Sequence, residues 1–212
     1  MDKAVEIVKI LDKTYPDAPQ TYLNYKNPFE MLIVTILSAR ATDTGVNKIS
    51  PILFDKYPTP EKMAKANLDA IGQIIRPLGA YNKKAEYITE TSRMLVEGFG
   101  GVVPKTMEDL VSFKGVSRKT ANVVLSVAFG LSEGIVVDTH VMRVTIRLGL
   151  SEHDKNPQKI EEDLMELLPR EMWNDYARLI GAHGRRTCKS RKPHCIECSI
   201  NKLCPSAELN EK

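Results

Sequence analysis

The chain has 212 residues, 42% of them hydrophobic, with 30 Lys and Arg against 27 Asp and Glu for a formal net charge of +3. That is enough apolar content to bury a core in one large domain or two small ones, and a balance so weakly basic does not by itself demand nucleic acid as a partner. The longest apolar stretch, residues 31–39, is about half of the roughly 20 residues a membrane-spanning helix needs, and charges interrupt every apolar run of the first ten residues, so neither a membrane span nor a signal-peptide pattern is expected.

In chain order, Val5, Val8 and Leu11 with charges between them predict an amphipathic helix over residues 2–15, ended by Pro16 and Pro19. Asn27-Pro28-Phe29-Glu30 is a helix start. Asn27 can cap, Pro28 suits the first helical position, and Glu30 can reach back as in a capping box. The helix that follows, to about residue 39, is apolar nearly all round and is expected to be buried. Thr42 and Asp43 start a helix through Phe54, and Thr59-Pro60-Glu61 starts another to about Ala66. Residues 68–76 form a short helix stopped by Pro77. Asn82 is expected to cap a helix carrying Ala85, Ile88, Met94 and Leu95 inward and ending at Gly98. Thr106 and Asp109 make a capping box before Leu110, Val111 and Phe113.

Further helices are expected from Arg118, from Thr139 to Leu148 with Gly149 as the stop, from Asn156-Pro157 to Leu168, and from Trp173 to His183. Residues 134–137 (Gly-Ile-Val-Val) are the one strand candidate and lack a partner run. The fold class is therefore all-α, with about ten helices and short connections.

Candidate chemistry gathers in residues 112–140. Between Phe113 and the possible cap Ser117 lies a linker of Lys114-Gly115-Val116. Gly115 permits a positive φ and leaves the surface free of a side chain. The N–H groups of the turn and of the next helix's first residues would then point outward, a cluster that binds an anion such as a DNA phosphate. The same turn could be an ordinary helix–helix connection. Lys119 sits in the first turn after Ser117. The helix dipole and the neighbouring Arg118 disfavour a charged ammonium there and favour a nucleophilic amine, though a lysine so placed can equally be one more phosphate contact. Asp138 follows the apolar run 135–137. It could simply cap the helix beginning at Thr139, or act as the carboxylate that activates a lysine.

The cysteines are spaced Cys188-x6-Cys195-x2-Cys198-x5-Cys204, and there are no others. Clustered thiols with a tight C-x2-C imply one metal site rather than disulfides; on general grounds a zinc module is the plainest reading. Lys189, Arg191, Lys192 and His194 fill the first loop of this site, either as DNA backbone contacts or as a solvated basic loop.

The residues Lys114-Gly115-Val116-Ser117-Arg118-Lys119-Thr120-Ala121-Asn122-Val123-Val124-Leu125, followed by Val137-Asp138-Thr139-His140, resemble the helix-hairpin-helix glycosylase superfamily, and within it the endonuclease III family. Asn27-Pro28-Phe29-Glu30, Ser38-Ala39-x-Ala41-Thr42-Asp43 and Tyr81-Asn82-x-Lys84-Ala85 resemble the same family. The resemblance implies a bifunctional DNA glycosylase and abasic-site lyase. Lys119 would attack C1′ of a flipped-out damaged pyrimidine and form a Schiff base, with strand cleavage 3′ to the lesion by β-elimination, and Asp138 would accept the lysine proton and stabilise positive charge on the sugar.

It implies, too, a [4Fe–4S] cluster on Cys188, Cys195, Cys198 and Cys204, here taken as structural. Duplex DNA would be contacted by Arg40, Ala80, Lys114, Gly115, Val116, Ser117, His140, Lys189, Arg191 and Lys192. Two helical domains are expected to flank a DNA-binding cleft: residues 22–131, with the helix-hairpin-helix at about 107–129, and residues 1–21 with 132–212. A soluble, cytoplasmic, nucleoid-associated monomer is expected.

The chain also departs from that family's pattern. The hairpin commonly reads Leu-Pro-Gly-Val-Gly where this chain has Phe113-Lys114-Gly115-Val116-Ser117. Arg40 stands where a glutamine usually fills the gap left by the flipped base, and Ala80 where a leucine usually wedges into the opposite strand. An alanine cannot fill a base-sized hole, whereas a planar arginine can stack there or pair with an orphaned guanine. Arg40 could instead hold a phosphate. Mismatch-directed removal of uracil or thymine opposite guanine, and a non-catalytic DNA-binding or redox-sensing module, are the alternative readings.

Overall fold

A computed structural model describes residues 3–207, so the predicted helix start at residue 2 lies outside the described residues. Among these there is no strand. The α-helices in order are α1 (Lys3–Thr14), α2 (Pro28–Ser38), α3 (Asp43–Lys56), α4 (Pro60–Ala64), α5 (Leu68–Ile75), α6 (Tyr81–Phe99), α7 (Met107–Ser112), α8 (Arg118–Phe129), α9 (Thr139–Arg147), α10 (Pro157–Leu167) and α11 (Trp173–Arg186). Residues 134–137 form no strand, and Ile135 and Val137 are buried in a core. No described helix is long and apolar enough to cross a membrane.

The chain divides into two compact units: Thr21–Glu133, and the described residues up to Gln20 together with those from Gly134 onward. In Thr21–Glu133 the organising element is α2. Asn27 Oδ1 accepts the Glu30 N–H at 2.9 Å and Pro28 opens the helix, so the start is well defined. Residues 29–37 are all buried, and α3, α6 and α8 pack around the helix. Burying a full apolar turn on every side is what an all-round hydrophobic helix requires. Thr42, Thr59, Thr106 and Ser117 cap α3, α4, α7 and α8 as their sequence positions suggest.

Two expectations need correction. Glu30 does not close a capping box on Asn27; its carboxylate accepts the Lys26 N–H at 2.8 Å, one residue further back. Asn82 is not the cap of α6, which begins at Tyr81 behind a left-handed Ala80 with no side-chain cap. The expected stop at Pro77 holds: α5 ends at Ile75, and Pro77 sits inside a tight 3-10 turn, residues 76–78, where its missing N–H costs nothing.

The other unit is built from α1, α9, α10 and α11, with α11 packed against both α9 and α1. Its core includes Ile7, Leu11, Val144, Ile160, Leu164, Tyr176 and Ile180. Tyr176 is completely buried and its hydroxyl meets Thr145 Oγ1 at 2.8 Å, which satisfies both polar atoms. α11 runs on past the expected end at His183 to Arg186, so Arg185 and Arg186 lie on its last turn.

Candidate active site and metal centre

The hairpin in Thr21–Glu133 joins α7 to α8. Phe113 is buried and stacks edge-on against Phe99, with ring centroids 5.5 Å apart; Val116 is buried beside it. These two side chains anchor the turn and leave Lys114 and Gly115 on the surface. Gly115 has φ +78°, and a Cβ there would lie 2.5 Å from Tyr87 Cδ2 on α6. Glycine is thus required twice, by the backbone conformation and by the tyrosine ring beneath it. Ser117 caps α8 by accepting the Thr120 N–H at 3.2 Å.

The expectation of outward N–H groups narrows here: Val116 N–H donates to Phe113 O at 3.1 Å and so points inward. Gly115, Ser117 and Lys119 N–H have no partner among the described residues. Lys119 is exposed in the first turn of α8. Arg118 is turned aside, donating to Glu133 O at 3.2 Å. Lys114 pairs with Glu86 at 3.4 Å, both exposed, a contact of small energetic worth.

Arg40 and Ala80 lie in the same unit, each exposed and each with a left-handed backbone, φ +53° and +46°. Arg40 follows the end of α2, and Ala80 precedes α6. Lys84, on the first turn of α6, is buried and donates from Nζ to Leu78 O at 2.9 Å, fastening the 3-10 turn that delivers Ala80. Burial holds the Lys84 amine below the ordinary lysine range.

Asp138 belongs to the other unit. It caps α9: its Oδ1 accepts the N–H groups of His140 and Val141, both at 2.8 Å, and its Oδ2 faces Arg185 at 3.6 Å. His140 is half-buried, and burial first, then the Arg185 charge, holds its pKa below the usual histidine value. Gly184 lets α11 approach α9 closely; a Cβ there would meet His140 Cβ at 3.0 Å. Into that junction Arg143 donates to Gly184 O at 2.8 Å and to Cys188 O at 3.0 Å. Arg147, one turn on, donates to Lys189 O at 2.8 Å and Ser190 O at 3.1 Å. Two arginines of α9 therefore hold the backbone of the basic loop. Lys189, Arg191 and Lys192 stay exposed, Lys192 with φ +51°.

The four cysteines are free thiols that line one pocket, shared with Val144, Leu148, His183 and Ile200. Burial pushes the Cys198 thiol up, so a thiolate there needs a compensating cation. Two side-chain nitrogens approach the sulfurs: Arg147 Nη1 lies 3.3 Å from Cys188 Sγ and His183 Nε2 lies 3.7 Å from Cys198 Sγ. Four thiols in one largely apolar pocket and nitrogens beside sulfur fit an iron–sulfur cluster.

Residues 33–170 match the HhH-GPD superfamily of base excision DNA repair proteins. The chain is 46% identical to an endonuclease III of Synechocystis over 98% of its own length and 94% of the relative's. The chain belongs to the endonuclease III family. Its fold superposes on a trapped endonuclease III–DNA covalent intermediate, an estranged-adenine complex, with a TM-score of 0.92, 39% identity and all of both chains covered. It is similar as well to a thermostable thymine-DNA glycosylase, with a TM-score of 0.86 and 26% identity over 98% of this chain and 97% of the other.

Of the residues expected from the family pattern, the hairpin and α8 bring Lys114, Gly115, Val116, Ser117 and Lys119 together, and the cysteine pocket gathers its four thiols. Asp138 and His140 share the start of α9. What reading by motif missed are the supporting residues: Tyr87 under the hairpin, Lys84 under Ala80, Arg143 and Arg147 behind the basic loop, and His183 with its partner Tyr15. A charged residue on an otherwise inward-facing helix position was the available signal for Lys84, which lies next to the inward Ala85.

Proposed function

We propose that this chain is a bifunctional DNA glycosylase and abasic-site lyase of base-excision repair, acting on oxidised pyrimidines flipped out of duplex DNA. What carries the reading is full-length similarity to an endonuclease III trapped in a covalent DNA intermediate, joined to an exposed lysine just past a capped, glycine-centred hairpin. The target base must leave the stack because its glycosidic bond is shielded in the duplex; unstacking costs a few kcal/mol, least for a damaged base.

In this reading Lys119 supplies a neutral amine to C1′. As the N–C1′ bond forms, the glycosidic bond breaks, and the base leaves with its electron pair and takes up a proton. Asp138 carries the negative charge that stabilises the sugar cation and accepts the proton shed by the amine. The sugar ring opens to a Schiff base on Lys119. Loss of a C2′ proton then expels the 3′ phosphate, and water releases the lysine. Gly115, Ser117 and Lys119 N–H groups, with Val116 as the buried anchor and Lys114 beside them, grip a phosphate. Lys189, Arg191, Lys192 and His140 add contacts to the DNA. Cys188, Cys195, Cys198 and Cys204 would hold a [4Fe–4S] cluster whose contribution is a rigid support for the basic loop; the four thiols lining one pocket and their family-like spacing support this. The two compact units serve as the two functional domains.

Borohydride trapping on a duplex with one abasic site tests this. Wild-type protein should give a covalent complex that Lys119→Ala loses; a complex that survives Lys119→Ala refutes the nucleophile, and none from wild type refutes the lyase in favour of a binding module. Arg40 favours a second reading of lesion choice. Its exposed guanidinium on a left-handed backbone and the similarity to a thymine-DNA glycosylase support mismatch-directed excision opposite guanine. A panel of duplexes with single lesions or mismatches separates the two: if Arg40→Ala leaves every excision rate unchanged, Arg40 has no part in selection.

A further inference from the structure

The pocket wall beside Cys198 carries a histidine that the proposed chemistry leaves unused. His183 is 2% exposed on α11. Its Nε2 is 3.7 Å from Cys198 Sγ and its Nδ1 is 2.9 Å from Tyr15 Oη. Tyr15 Oη is 2.8 Å from Thr187 Oγ1 as well. The three groups form one hydrogen-bonded line ending on sulfur, and its direction follows from counting protons. A cysteine bound to metal is a thiolate and has no proton to give. If His183 carried its proton on Nδ1, the Nε2 lone pair would face the thiolate with nothing between them, and a buried acceptor would be left unsatisfied. Run the other way, every partner is matched. Thr187 donates to Tyr15, Tyr15 donates to Nδ1, and the Nε2–H donates to the Cys198 sulfur.

We propose that Tyr15 fixes the Nε2–H tautomer of His183, and that this N–H, donated to the Cys198 thiolate, tunes the reduction potential of the cluster. The proposal rests on the iron–sulfur reading of the four cysteines. A donor to a ligating sulfur stabilises the more negative, reduced cluster more than the oxidised one, so it raises the potential. The line is anchored outside as well. Arg186 lies over the Tyr15 ring at 5.4 Å and makes a paired ion bridge to Asp17 at 2.7 and 3.0 Å. Tyr15 comes from the segment after α1 and is 168 residues from His183 in sequence, so the packing of α1 on α11 is what sets the tautomer.

The test is the midpoint potential of full-length purified protein by voltammetry, with iron content and the visible charge-transfer band alongside. Tyr15→Phe keeps the ring and removes only the hydroxyl; His183→Leu removes the donor. His183→Leu should keep its iron and move to a more negative potential, with the reduced-to-oxidised ratio at fixed potential falling about tenfold, the equivalent of about 59 mV for one electron. Tyr15→Phe should move the same way by less. Tyr176→Phe, a buried tyrosine bonded to Thr145 and away from the sulfurs, should not move. If His183→Leu fails to hold its iron, Tyr15→Phe alone decides. Unchanged potentials in iron-loaded variants overturn the tautomer proposal and leave the cluster standing. Wild-type protein that carries zinc, or no visible band, overturns the cluster reading and this proposal with it.

Discussion

Gly115→Ala puts the hairpin to a quantitative test. The methyl group meets two separate obstacles. The backbone at φ +78° costs a side-chain-bearing residue about 1–2 kcal/mol. The new Cβ would stand 2.5 Å from Tyr87 Cδ2 and 2.9 Å from Cγ, inside any real carbon–carbon contact. The ring cannot swing freely, because α6 fixes its base, so relief requires the turn to lift. Overpacking of this kind costs roughly 1–3 kcal/mol, and together the loss is about 2–5 kcal/mol. Urea unfolding followed by far-ultraviolet circular dichroism measures it.

The same substitution in a Tyr87→Ala background isolates the steric part, since only the backbone cost of about 1–2 kcal/mol remains once the ring is gone. The coupling between the two sites should therefore be about 1–3 kcal/mol. A Gly115→Ala loss below about 0.5 kcal/mol, the usual range of a surface change, refutes the double requirement. A coupling near zero refutes the role of Tyr87 while sparing the backbone argument. Lifting the turn should weaken DNA binding in the single variant, and Tyr87→Ala should restore part of it.

Asn27→Ala removes the oxygen that accepts Glu30 N–H at 2.9 Å and should cost about 1 kcal/mol in the same unfolding assay. Replacing Lys189, Arg191 and Lys192 together by alanine should flatten the log–log salt dependence of DNA affinity by about 0.9 for each phosphate that is no longer neutralised; an unchanged slope in a fluorescence-anisotropy titration means that the loop does not touch DNA. His140 gives a pH signature. Its folded pKa is lowered from 6.5, so below pH 6.5 the unfolded chain takes a proton that the folded chain resists. Its share of stability is complete above that pH and declines as pH falls from 6.5 through the folded value. His140→Gln should lose less stability than wild type on acidification over that window, and parallel curves would show that His140 does not contribute.

Much of the local architecture was legible because it is encoded within a few residues. A cap needs only an oxygen three positions before an N–H, and Asn27, Thr42, Thr59, Thr106, Ser117 and Asn156 each supply one. The all-round apolar pattern of α2 announced its burial for the same reason. Asn82 failed as a cap because the start of α6 is decided elsewhere: Lys84 Nζ ties the chain back to Leu78 O, a contact that cap pattern alone does not report. Glu30 reached Lys26 N–H instead of Asn27 because the two donors are one residue apart and pattern alone does not rank them. In the candidate site, hairpin, lysine and thiols were visible as motifs. Their supports were not, since Tyr87 meets Gly115, Tyr15 meets His183 and Arg147 meets Lys189 only through packing.

Backbone conformation is the other quantity that periodicity does not report. Among the described residues, the non-glycine positions with positive φ are Arg40, Ala80 and Lys192, and all three are candidate DNA contacts on sequence grounds alone. A left-handed conformation costs a residue with a Cβ about 1–2 kcal/mol, and it persists only where the surroundings enforce it. For Arg40 the enforcement is the end of α2, where Ala39 and Ala41 N–H turn back to Ile36 and Ser38 carbonyls. For Ala80 it is the 3-10 turn fastened by Lys84. A glycine would relieve the strain at either place and would present nothing to a partner. Retaining a side chain there makes sense if the side chain is what the turn exists to display. The two turns therefore display the side chains of Arg40 and Ala80 at places in the chain distinct from the hairpin that precedes Lys119.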